Sequence, residues 1–109
     1  MFKVATKPTF THDVPVFVPV DNGHVEMPLR TKFRVMDDSE AVAIDYSSRD
    51  GIPMFLDRAV VGFEDLVDDS DQPMTCTDLV RTKVLALPFV RIALFKAYTA
   101  AVTKAKLGN

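Results

Sequence analysis

Two stretches of alternating apolar and polar residues flank an Asn-Gly pair, and that arrangement constrains the fold more than any other feature of the chain. Thr9 to Val20 puts Phe10, His12, Val14, Val16, Val18 and Val20 on one face of an extended segment. Beyond Asp21-Asn22-Gly23-His24, Val25 to Val35 resumes the period, with Met27, Leu29, Thr31, Phe33 and Val35 on one face and Glu26, Arg30, Lys32 and Arg34 on the other. Successive strand side chains point to opposite faces, so this pattern marks strands covered on one side only. Asn-Gly supplies the positive φ of a tight turn, and a β-hairpin follows. Pro15 and Pro19 fall in the outward-facing set of the first strand. Proline has no N–H for an inner ladder, so that strand belongs at a sheet edge.

The remainder reads as helices and one more strand. Asp37-Asp38-Ser39 offers caps, and Ala41, Val42 and Ile44 through Tyr46 follow at helical spacing, which predicts one helix of about ten residues. Ile52 to Asp57 adds a short further turn of helix, and the β-branched run Ala59 to Phe63 a third strand. Asp68-Asp69-Ser70-Asp71-Gln72-Pro73 is a solvated turn. Thr75 to Asp78 supplies the N-cap of a helix beginning near Leu79, and Pro88 ends it while fitting the first turn of the next. On a helical wheel from Phe89, Val90, Ala93, Leu94, Ala97, Tyr98, Ala100 and Ala101 share a broad core face. Ile92, Phe95 and Val102 fall beyond it, among Arg91, Lys96, Thr99 and Thr103, where they are free to bury against a neighbour in the chain or against a partner. Lys104 and Lys106 suit the negative end of the helix dipole.

These elements predict an α+β domain over residues 1–109: a hairpin region (1–36), an acidic helix, third strand and turn (37–73), and two C-terminal helices (74–109) packed on the sheet. With 48% apolar residues, 109 residues suffice for one core. Charge divides sharply along the chain. Residues 37–78 carry twelve acids against Arg49 and Arg58, residues 1–36 have five bases and three acids, and residues 79–109 have six bases and no acid. Either the basic C-terminal helices dock on the acidic middle, or a basic helix is offered to an acidic partner.

Several chemistries find no support. Cys76 is the single cysteine, so no internal disulfide is expected, and with no export signal in view a reducing cytoplasm fits. The run Val84 to Leu94 is broken by Pro88 and Arg91 and is too short for a membrane span. His12 and His24 lack ligand-spaced companions, and Asp69 and Asp71 open a calcium-like loop without its central glycine or closing glutamate. Gly23, Gly51, Gly62 and Gly108 are too scattered to cradle a phosphate, and Cys76 has no base near it in sequence. Arg30, Lys32 and Arg34 read as a solvated strand face without stacking aromatics beside them, which disfavours nucleic acid. The expectation is a protein without metal, cofactor or catalytic residue.

Four passages together resemble the tail assembly chaperones of long-tailed, siphovirus-type bacteriophages and prophages. They are Phe2-Lys3-Val4-Ala5-Thr6-Lys7-Pro8-Thr9-Phe10; Phe33-Arg34-Val35 running into the acidic helix; Phe55 to Asp65; and Leu87-Pro88-Phe89-Val90-Arg91 through Ala97-Tyr98 to Leu107-Gly108-Asn109. Where related chains often carry a tryptophan after the glycine, this one has Phe63. The resemblance implies a non-catalytic factor in the bacterial host cytoplasm, absent from the finished virion, that keeps the tape measure protein soluble until tail tube protein polymerises around it. It also implies, in many relatives, a frameshifted extension, for which Lys104-Ala105-Lys106 is a suitable place, and the chain is expected to self-associate as a homo-oligomer through its helical part. The resemblance brings no residue motif; Ile92, Phe95 and Tyr98 are named as partner-binding from the helical wheel alone, Tyr98 at the margin of the core face. Two rivals remain: a structural tail component such as a tube or terminator subunit, and a small nucleic-acid-binding regulator.

Overall fold

The computed structural model describes residues 1–104. Lys106 and the closing Leu107-Gly108-Asn109, with most of the proposed frameshift region, lie outside the described residues. β1 (Thr9–Val20) and β2 (Gly23–Arg34) form a long antiparallel hairpin in which Phe10 faces Phe33 and Val16 faces Met27. Asn22 takes the positive φ, 62°, that the turn demands, one residue earlier than the glycine. β3 (Val60–Glu64) adds antiparallel to β2 in the order β1-β2-β3, so β1 is an edge strand as its prolines require. β3 pairs only with Arg30 to Phe33, and a register shift there leaves Val61 as an extra, bulged residue. The distal half of the hairpin is therefore two-stranded and projects, giving overall extents of 44 × 29 × 28 Å.

Four helices complete the α+β architecture. α1 (Asp38–Val42) has only five residues, not the ten expected. Asp37 caps it by accepting the Glu40 amide, but Asp45 takes both the amide and the hydroxyl of Ser47, and this local bonding competes with helix continuation. α2 (Gly51–Ala59) is correspondingly longer than the short turn expected. Pro53 sits in its first turn, where the N–H has no intrahelical partner to lose. Gly51 is buried so tightly that a Cβ would overlap the Asp45 carbonyl. The acidic turn joins β4 (Leu66–Val67) to β5 (Pro73–Met74), a small hairpin not foreseen; the Asp68 carboxylate accepts the amides of Ser70 and Gln72. α3 (Asp78–Leu85) is capped by Thr77, and α4 (Pro88–Thr103) opens on Pro88 at an angle of 91° to α3.

The core lies where α2 and α4 cover the proximal sheet. Val14, Val16, Phe33, Phe55, Leu56, Val60, Phe63, Val90, Leu94 and Tyr98 are all buried. Arg81 ties α3 to α2 through the carbonyls of Asp57 and Val60 and the Asp57 carboxylate, and Arg91 donates to the Leu85 carbonyl at the end of α3. These guanidiniums satisfy carbonyls that helix ends leave unpaired. Among the described residues no single helix is long and apolar enough to cross a membrane.

Candidate functional site

The three residues singled out on α4 part company. Ile92 is 60% exposed, as a docking residue must be. Tyr98 is buried; its ring packs against Phe55 at 4.9 Å, Phe33 at 5.8 Å and Phe10 at 6.0 Å between centroids, and its hydroxyl accepts the Met36 amide at 3.0 Å. That takes Tyr98 out of any partner surface. Phe95 is half-buried, edge-on to Phe55 at 5.3 Å and 6.2 Å from Tyr46. The wheel left Phe95 on the polar side because it cannot see that the loop after α1 brings Tyr46 across to cover it. Tyr46 is itself held there by donating its hydroxyl to the Ala41 carbonyl.

Ile92 belongs to a different surface. Between α4 and the projecting hairpin runs a groove of about 300 Å³, with Phe89, Ile92, Ala93 and Ala97 on the helix side and Pro15, Phe17 and His24 on the hairpin side. Lys96 stands on its rim. Phe89, Ile92, Ala93, Lys96 and Ala97 follow the three-and-four spacing of one helix face. A second hollow of about 220 Å³ shares Pro15 and Ala97 and prolongs the groove past Ala100 and Ala101. From Phe89 to Ala101 this amounts to roughly 18 Å of helix at 1.5 Å per residue. Phe17 is 57% exposed. The sequence reading does not single Phe17 out; a phenylalanine between two prolines, at a position that alternation turns to solvent, is the signal available.

Elsewhere the surface carries little chemistry. A wider hollow of about 710 Å³ lies beneath residues 5–9, and apart from Lys7 its charged lining is engaged: Arg34 makes a bidentate pair with Glu40 at 2.8 and 3.2 Å, and Asp37 caps α1. Hydrogen bonding from Arg34 holds the Glu40 carboxyl below its ordinary value, and the Ser39 hydroxyl does the same for Asp37. Among the described residues no group of three His, Cys, Asp or Glu side chains is placed to hold a metal ion. His12 packs edge-on to Phe10 at 5.1 Å, far from His24 at the groove. Arg30 reaches Asp13 and Glu64 and Arg34 reaches Glu40, so two of the three bases on that face of β2 are paired with acids of the chain.

No family model, curated protein or solved structure matches this chain.

Proposed function

We propose that this protein is a non-catalytic tail assembly chaperone of the siphovirus type, binding the tape measure protein and keeping it soluble while tail tube protein polymerises. The observation that carries the reading is the open apolar groove beside Ile92. A tape measure is a long, coiled-coil-prone chain with a hydrophobic seam, and helix-in-groove docking is the physical means of covering such a seam. The four sequence passages described above support it independently. In this reading the protein acts in the bacterial host cytoplasm, self-associates, and leaves before the virion is complete.

Co-expression with the long coiled-coil product of a neighbouring gene tests the proposal. The large protein should become soluble only in the presence of this chain and should co-purify with it. If it stays insoluble while this chain builds rings or tubes by itself, a structural tail component is the correct description. A salt-dependent shift on DNA would point instead to the regulator.

A further inference from the structure

We infer that the groove along α4 receives a single amphipathic helix of about three turns whose apolar ridge is flanked by Asp or Glu, with Lys96 reading that acidic flank. The protein that carries the helix is identified only through the chaperone reading; the chemistry of the occupant rests on the groove itself.

Hairpin register decides for a helix over a strand. Pro15 and Pro28 are direct partners, and neither has an N–H to exchange, so theirs is a non-hydrogen-bonded pair. By alternation, Asp13, Pro15, Phe17 and Pro19 are then the β1 positions whose backbone faces the open edge. Pro15 and Pro19 each remove a donor from that edge, which denies an extended peptide the ladder it would need. The surviving surface is the concave trough between Phe17 and Ile92, 18 Å or so in length by the helical rise. A flat bilayer cannot enter it.

Charge decides which helix. Of the two explanations for the split between acidic middle and basic C-terminus, internal docking is realised among the described residues by one ion pair between the C-terminal helices and the middle, Arg81 with Asp57 at 3.0 Å. The other ion pairs, Arg30 with Asp13 and Glu64 and Arg34 with Glu40, lie within the sheet and α1. α4 contains no acid, Arg91 is committed to the Leu85 carbonyl, and Lys96 makes no ion pair among the described residues. A second copy offering the same face would bring no acid from its own α4 to meet Lys96. A helix with acids beside its apolar ridge meets both the trough and the rim. At the far end Asp13 is paired with Arg30, which lessens its repulsion of that helix.

The test uses the whole chain and two synthetic helical peptides with one apolar ridge and one tryptophan, flanked in one case by Glu and in the other by Lys. The chain has no tryptophan, so the fluorescence reports the peptide alone. The Glu-flanked peptide should bind about tenfold more tightly at low salt, an advantage that shrinks as salt rises. Lys96→Glu should reverse the preference, and Ile92→Asp should remove binding of both peptides with the melting temperature unchanged. Equal binding of the two peptides, a preference that survives Lys96→Glu, or binding only to vesicles of phosphatidylserine would overturn the inference. Co-purification separates it from the chaperone reading. If neither peptide binds while a tape measure client still co-purifies, the groove inference fails and the chaperone stands; if the Glu peptide binds and no such client is captured, the reverse holds.

Discussion

The two long sides of α4 carry similar residues and end in opposite states. On one, Leu94 and Tyr98 are sealed and Phe95 half-covered by Phe55 of α2, Phe33 of β2 and Tyr46 of the loop after α1. On the other, Phe89, Ile92 and Ala93 face a hairpin that rises away and leaves a trough. Burial is decided by which neighbour arrives, and those neighbours come from some forty to sixty positions earlier in the chain. A hydrophobic pattern along one helix reports what can be buried, not what is.

The contrast is broken most severely by substituting into the sealed side. Leu94 is fully buried, and Leu94→Ala should cost about 3 kcal/mol through lost transfer energy and the cavity left behind. Ile92→Ala, with its side chain mostly in water, should stay within about 0.5 kcal/mol. Urea denaturation of the two variants side by side measures the difference, and equal midpoints would mean that the groove is as well packed as the core. Phe95→Asp comes next. It drives a charge into the contact with Phe55 and Tyr46, so a loss of about 2 kcal/mol is expected, visible as a lowered melting temperature. An unchanged melt would restore Phe95 to the open side, where the wheel had put it.

Much of this was legible beforehand, and the parts that were not share a cause. The hairpin, its edge position, the third strand, the Thr77 cap and the Pro88 break rest on local chemistry: side-chain alternation, missing N–H groups and a short hydroxyl reaching back to an amide. α1 was overestimated because Asp45 and Ser47 prefer to bond each other, a competition that apolar spacing does not register. α2 was underestimated because Pro53 reads as a breaker unless its place in the first turn is known. Of the docking residues, Ile92 lies on the open groove, while Phe95 and Tyr98 needed the long-range partners Tyr46, Phe55 and Met36 to be placed. Phe17 and Lys96 join Ile92 only because the hairpin bends past α4, a fact of tertiary structure.

A smaller expected effect sharpens the sealed side by one atom. The Tyr98 hydroxyl accepts the Met36 amide in a buried setting, so Tyr98→Phe keeps the ring contacts and orphans a backbone donor. The cost should be about 1.5 kcal/mol, the usual penalty for an unsatisfied buried group. Amide exchange at Met36 should accelerate more than exchange at Val90, which is buried on α4 without that partner. Uniform acceleration of both would mean that the hydroxyl acts through general packing.

The smallest effect concerns how the sealing segment is fastened. Met36, Ile44 and Tyr46 reach the aromatic cluster on a stretch anchored by the Arg34 to Glu40 pair and by the Asp37 cap. Both carboxyls sit below their ordinary values, Glu40 through hydrogen bonding from Arg34 and Asp37 through that from Ser39. A carboxyl whose pKa is depressed in the folded state contributes stability that is complete above the ordinary carboxylate range and fades as pH falls through the depressed value. Glu40→Gln should therefore melt slightly below the parent chain at neutral pH, and the gap should close in acid, where the parent has lost the same charge. The near-ultraviolet signal of Tyr46 and Tyr98 is the local readout, and it should weaken in acid before the far-ultraviolet helix signal does. A gap that persists in acid would mean that Glu40 fastens the segment through packing and neutral hydrogen bonds, leaving the sealed side of α4 indifferent to charge. Only the Lys96 side would then respond to salt.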